Sequence, residues 1–152
     1  MTMNLNADEI ERYSRQLILP GWGASEQLHL RELSAYSSAC FEACLRYLLG
    51  AGLGTLYLPS KCADCLEALR SVNPLANVAV LPENVENVDL VIDSSDSPSK
   101  VVAPVTLRIT PAGCELRTPR AEQQLSLSGG PLAAEAAGSA LVLRSLFRTK
   151  EH

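Results

Sequence analysis

Three groupings in this chain combine residue types and spacing that could do chemistry. The first is the glycine run Gly50, Gly52 and Gly54, which leads into the apolar stretch TLYL. A glycine loop that cradles phosphate must follow a strand and open a helix, so that the first helical amides point at the anion. These glycines instead close a helical pattern and open a strand, so they read as a helix C-cap and a turn. The second grouping is Cys62-x-x-Cys65, whose spacing suits a redox pair or half of a zinc site. A zinc site needs about four ligands. Cys40, Cys44, Cys114, His29 and His152 offer no second close pair, so CADC reads first as small buried residues with one exposed thiol. The third is Asp96 in SSDSPS, just past the apolar DLVID. Open α/β sheets bind ligands beyond the carboxyl ends of their strands. An aspartate in such a turn also caps well, and one carboxylate without phosphates is a poor magnesium site. Trp22, the single tryptophan, lies between Gly21 and Gly23 and reads as an interface anchor or as a lid on the domain's own core.

The elements that would position these residues follow from periodicity. ADEIERYSRQLIL is predicted helical, with Ile10, Tyr13, Leu17 and Ile18 on one face, Asp8 as cap and Pro20-Gly21 as the stop. SEQLHLREL is a second amphipathic stretch with Ser25 as its cap. LSAYSSACFEACLRYLLGAGLG reads as a short strand, a turn and a helix. Cys40, Cys44, Tyr47 and Leu48 recur on that helix, and Glu42 and Arg46 form an outward i,i+4 pair. KCADCLEALRSVNP predicts a helix ended by Asn73-Pro74; NVAVLP and DLVID predict strands. VVAPVTLRITPAGCELRTP predicts a hairpin or meander, LSLSGG a loop, and PLAAEAAGSALVLRSLF a closing helix with Pro131 at its first position. This order predicts an α/β fold: a reduced Rossmann-like open sheet with flanking helices.

Composition bounds the function. At 152 residues the chain is expected to be one domain, and 47% hydrophobic residues supply a core. A net charge of −4 and 5% aromatic residues argue against nucleic acid and acidic membranes as partners. No basic-then-apolar leader opens the chain, and the stretch Pro131 to Leu143 is shorter than the roughly 20 residues of a membrane span. Five cysteines without a leader predict a reducing, cytoplasmic setting with free thiols.

The segments RYSRQLILPGWG, RYLLGAGLGTLYL, VNP, DLVIDSSD and GGPLAAEAAGSALVLRSLF, in this order, resemble the ThiF/MoeB/HesA family. That family comprises the adenylating domains related to ubiquitin-activating enzymes. The resemblance spans most of the chain. It implies a single ThiF-like domain over residues 1–152, with N-terminal helices over 1–33 as a dimerisation element and a trimmed Rossmann-like core over 34–152. It implies that Asp96 matches the magnesium-coordinating aspartate, although the usual following Asn is Ser97. It also implies that Arg15 matches an arginine that reaches across a dimer into the partner's ATP site, with Arg12 and Trp22 beside it on the interface. Without the resemblance, Arg15 is a surface arginine pairing with Glu11 or Asp8.

The departures from the family pattern fall on the nucleotide site. The three glycine positions of the family's GxGxxG loop fall on Tyr36, Ser38 and Phe41, where bulky side chains deny a tight turn and close approach to phosphate. Tyr36 and Phe41 read as plugs of the space a nucleotide would fill. The acidic residue expected after the second strand, for the ribose, falls on Ser60. The stretch LPSKCADCLEALRSVNP is too short for the family's ATP-contacting Asn, Arg and Lys residues, and the crossover region with paired zinc cysteines has no counterpart. The expectation is a non-catalytic, dimerising partner subunit of an adenylating enzyme, or a binder of a sulfur-carrier or ubiquitin-like protein, with neither ATP nor magnesium as cofactor. The alternatives are a residual adenylating enzyme using Asp96 and magnesium, a stand-alone regulatory or structural homodimer, and a thiol or metal protein built on Cys62 and Cys65.

Overall fold

The structure is a computed structural model. It describes residues 5–17, 23–80, 88–94, 101, 103–110, 113–119 and 122–126, together with the helical residues Glu135, Gly138, Ala140, Val142 and Leu143. Its centre is a seven-stranded sheet: β1 (Ser34–Ser37), β2 (Thr55–Leu58), β3 (Asn77–Val80), β4 (Leu90–Ser94), β5 (Val105–Thr110), β6 (Gly113–Arg117) and β7 (Glu122–Ser126), in the order β3-β2-β1-β4-β5-β6-β7. Strands β3, β2, β1, β4 and β5 run parallel, and β6 and β7 extend the sheet as antiparallel ribbons. This is the predicted α/β arrangement, and its central parallel strands β1 and β4 show the continuous burial expected of a covered sheet. Leu90, Val91, Ile92 and Asp93 of β4 are all buried.

Helix α4 (Glu42–Ala51) joins β1 to β2, and a 3-10 turn (Ser60–Cys65) followed by α5 (Leu66–Val72) joins β2 to β3. The main core lies on one face of the sheet. There Leu45, Leu48 and Leu49 of α4 and Leu69 of α5 meet Leu56, Leu58, Ile92 and Leu107. The closing helix joins this face through Val142 and Leu143, and a Cβ on Gly138 would stand 3.0 Å from Leu107 Cδ2. The opposite face carries a smaller cluster of Tyr36, Val88, Val91 and Val101. Among the described residues no helix is long and apolar enough to cross a membrane.

Several local expectations are corrected. The first helical stretch breaks into α1 (Ala7–Arg12) and α2 (Ser14–Leu17) at Tyr13, and its cap is Asn6 rather than Asp8. Asn6 and Glu9 exchange side chain-to-backbone hydrogen bonds at 2.9 and 3.1 Å, a capping box that outcompetes a carboxylate already inside the first turn. Ile10 is 51% exposed while Tyr13 is buried; the Leu17 side chain and Ile18 lie outside what is described. Helix α3 (Ala24–Glu32) starts at Gly23, whose N–H donates to Glu26 Oε2 at 3.0 Å, so Ser25 is not its cap. Cys40 precedes α4 instead of lying on it, and Tyr47 points outward. The CADC segment winds as the 3-10 turn, not as the start of α5. Leu125 and Ser126, expected in a loop, pair with β6 as the end of β7. The Glu42–Arg46 pair forms as expected, at 3.1 Å and exposed.

The glycine run serves backbone packing. Gly52 (φ 122°) ends α4 in the left-handed region, and the Gly52 and Leu53 N–H groups cap Leu48 O at 3.2 and 3.0 Å. A Cβ on Gly54 would collide with the Arg31 carbonyl, because this backbone lies directly against the end of α3.

Candidate functional site at the sheet crossover

Between β1 and β4 the strand order reverses, which in open α/β sheets marks the ligand crevice. At this point the ends of β1 and β4 are tied together by the protein's own polar groups. The β1–α4 loop begins at Ser38, whose N–H donates to Ile92 O at 2.9 Å. Ser38 Oγ donates to Asp93 Oδ1 at 3.0 Å, and both residues are buried. The Ser94 N–H donates to Ser38 Oγ at 3.2 Å and to Asp93 Oδ1 at 3.1 Å, which closes a small polar knot across the two strand ends.

Helix α4 then begins without a side-chain cap of its own, since Phe41 occupies the N-cap position. Its first turn is served from elsewhere: the Cys44 N–H donates to Glu135 Oε1 at 3.3 Å, from the closing helix. A helix N-terminus favours an anion through its free N–H groups and its dipole. Here a carboxylate of the same chain supplies that charge. The Glu135 charge and, to a larger degree, burial push the Cys44 thiol far above its ordinary range.

The loop is also tied sideways. Cys40 forms a disulfide with Cys65 at the end of the 3-10 turn, with 6.8 Å between Cα atoms. This overturns the expectation that all thiols are free, and it sets aside the alternative of a redox or metal pair on Cys62 and Cys65. Cys62 is buried in the main core, whereas Cys65 is half-buried at the margin of that core and bonds to Cys40. Burial raises the thiols of Cys62 and Cys114 as well, and Lys61 only partly offsets this at Cys62. No group of three or more His, Cys, Asp or Glu suited to a metal ion occurs among the described residues.

The remaining sequence candidates scatter. Tyr36 sits inside β1, opposite Tyr57 and Val91, and packs on the smaller cluster, whereas Phe41 packs on the main core. They are two separate packing residues on opposite faces, not a joint plug of the loop. Ser60 is exposed at the first position of the 3-10 turn. Arg12 is exposed, and its Nη1 donates to Val72 O at 3.3 Å. The backbone of Arg15 lies in α2. Trp22 and Asp96 lie outside the described residues.

The N-terminal helices are wired firmly to the sheet domain. Arg31 Nη1 meets buried Glu9 Oε1 at 2.8 Å. Asn73 Nδ2 donates to Tyr13 Oη at 2.7 Å and to Leu49 O at 2.8 Å. Gln16 and Gln27 both donate to Ala51 O at 2.7 Å. The sequence reading missed Ser38–Asp93, Glu135 and this amide network. Its available signals were a lone acid in an otherwise apolar helix and an acid ending a buried strand.

No family model matches the chain. Among curated proteins, the adenylyltransferase and sulfurtransferase Uba4 of Pyricularia oryzae is 30% identical over 174 aligned residues, 81% of this chain and 35% of the relative. Uba4 of Emericella nidulans is 30% identical over 132, covering 62% and 27%. The chain thus spans about a third of the length of the curated relatives it matches. The first alignment is longer than this whole chain while using 81% of it, so the relative carries segments inside the matched region that are missing here. Among solved structures, the E. coli tRNA N6-threonylcarbamoyladenosine dehydratase TcdA superposes with a TM-score of 0.66 at 11% identity, covering 97% of each chain. E. coli MccB with ATP gives 0.65 at 14% identity, covering 96% of this chain and 66% of MccB. These two show the likeness of fold. Together with the ordered motifs and the Uba4 matches, they place this chain in the ThiF/MoeB/HesA family of adenylating-enzyme relatives, as a shortened member.

Proposed function

We propose that this chain is a non-catalytic member of its family that acts as a dimerising partner subunit. It either pairs with an active adenylating subunit or binds a sulfur-carrier or ubiquitin-like protein directly, in the cytoplasm. The observation that carries this reading is Glu135 on the first turn of α4. One of the first-turn amides that could receive a phosphate, that of Cys44, donates to a carboxylate of the same chain, and a nucleotide there would meet like charge. The Ser38–Asp93 knot and the neutral Ser60 at the ribose position support the same conclusion. The N-terminal helices, by contrast, keep an extensive polar anchorage to the domain, as an element retained for association would.

Arg15 is the residue through which such a subunit would act on a partner's ATP site, by placing fixed positive charge where negative charge develops. Arg12 and Trp22 would complete that interface. Titration calorimetry with Mg-ATP, followed by native mass spectrometry of the tagged protein from its own cells, tests the reading. The expected result is no nucleotide binding and a complex with an adenylating subunit or a small carrier. Tight Mg-ATP binding that Asp96→Asn abolishes would overturn it in favour of an active adenylating enzyme.

A further inference from the structure

Two loops leave the carboxyl ends of neighbouring parallel strands side by side. One is the β1–α4 connection, residues 38–41; the other is the 3-10 turn Ser60–Cys65 after β2. Strands β1 and β2 pair in parallel from Ser34 and Thr55 to Tyr36 and Tyr57, so the loops emerge at the same carboxyl end of the sheet. The Cys40–Cys65 disulfide joins them across a sequence separation of 25 residues. Both cysteines are half-buried, so small molecules can reach their sulfurs. Cys44, Cys62 and Cys114 are buried, and burial disfavours their thiolates. Thiol chemistry in this set is therefore concentrated at the one bonded pair.

We propose that the Cys40–Cys65 bond is a reversible redox staple between the loops after β1 and β2, beside the crossover crevice. The bonded form holds the β1–α4 loop against the turn after β2, and reduction releases the two segments from each other. The inference does not rest on the non-catalytic reading. In the reductive step, two molecules of a small thiol such as glutathione supply two electrons and two protons. The Cys40–Cys65 bond breaks, both cysteines become thiols, and the reductant leaves as its disulfide. In the reverse step a disulfide oxidant such as oxidised glutathione accepts the two electrons. The response is local. Ser38 stays held by Ile92 O and Asp93, Ala39 O by Ser37 Oγ and the Phe41 N–H, and the first turn of α4 by Glu135, so the loosening centres on Cys40 and its immediate neighbours and on the end of the 3-10 turn.

The test uses the full chain in glutathione buffers of graded oxidised-to-reduced ratio, with acid quenching, alkylation and peptide mapping, and with hydrogen exchange followed in parallel. The expected result is a single linked pair, Cys40 with Cys65, that opens over a defined range of ratio. Amides of residues 39–42 and 61–66 then exchange at least roughly tenfold faster, while those of β1, β2 and β4 stay as they were. Cys62→Ala keeps the bond. Cys65→Ser exchanges like the reduced protein in every buffer, and the reduced wild type serves as the same comparison should that variant not fold. Alkylation of both cysteines at every ratio, a Cys62–Cys65 pair in place of the expected one, or equal exchange with and without the bond would each overturn the proposal.

Discussion

Ser38 Oγ and Asp93 Oδ1 lie 3.0 Å apart between the ends of β1 and β4, at the point where the strand order reverses. Asp93 is only 5% exposed, so its carboxylate depends on hydrogen bonds that the protein provides. Ser38→Ala removes one of them and leaves the Ser94 N–H with one acceptor fewer. The expected cost is about 1–3 kcal/mol, read from the urea midpoint with an unchanged slope. A change below 0.5 kcal/mol would mean that the knot contributes little and that Asp93 is held by its other partners.

Restoring the family's glycines does not restore nucleotide binding. Tyr36→Gly, Ser38→Gly and Phe41→Gly together free the loop but leave Glu135 on α4 and no acid at Ser60. Calorimetry with Mg-ATP should give no binding heat. The triple variant should also lose several kcal/mol of stability, since Tyr36 alone is a buried aromatic whose truncation costs about 3–5 kcal/mol. Saturable ATP binding by the triple variant would show that the loop alone had silenced the site.

The three glycines of the opening run separate cleanly by position. Gly50→Ala meets open space near the end of α4 and should stabilise by roughly 0.5–1 kcal/mol. Gly54→Ala drives a methyl into the Arg31 carbonyl and should cost several kcal/mol, as backbone cannot move aside cheaply. Gly52→Ala combines a positive φ with a contact to Gln27, whose amide also binds Ala51 O, and should fall between the two. Thermal melts of the three variants check the order; a neutral Gly54→Ala would contradict the packing of α3 on this turn.

These glycines also show what the sequence could tell. Their place after a helical pattern and before TLYL was enough to assign a C-cap, because helix and strand signals are local. The open α/β sheet was legible for the same reason: apolar β-runs alternate with helical periods. Glu135 on Cys44 N–H and Cys40 on Cys65 were not, since each pairs residues brought together only by the crossover of the sheet. The cap of α1 was misassigned because Asn6 and Asp8 carry equivalent acceptors, and only the Asn6–Glu9 box decides between them. CADC misled by its spacing: Cys65 is bonded to Cys40 on the neighbouring loop, 25 residues away, a partner that the local motif does not show.

The buried thiols give stability a one-sided pH dependence. Cys44, Cys62 and Cys114 all have folded values raised above the unfolded value of about 8.5. The folded state therefore holds these protons longer than the unfolded state. Their contribution is fully present below about pH 8.5 and declines as pH rises toward the folded values. Each group can add a slope of up to about 1.4 kcal/mol per pH unit. Urea midpoints should be insensitive to these groups at pH 7 and fall between pH 9 and 10, less steeply in Cys44→Ala. An equal fall in that variant would place the alkaline sensitivity elsewhere.

The partner-subunit reading makes its sharpest demand on Arg15. A guanidinium that serves another chain's ATP site should be dispensable to its own fold, while a structural arginine should not. Arg15→Ala is therefore expected to leave the melting temperature within a few degrees of wild type and the complex intact by native mass spectrometry. The partner's adenylation rate should fall by roughly 10²–10³, the scale of one lost charge-stabilising donor. Arg15→Lys keeps the charge but loses the planar fork, and should recover only part of the rate. An unchanged rate in the reconstituted pair would remove Arg15 from the mechanism and leave the N-terminal helices as an attachment surface alone.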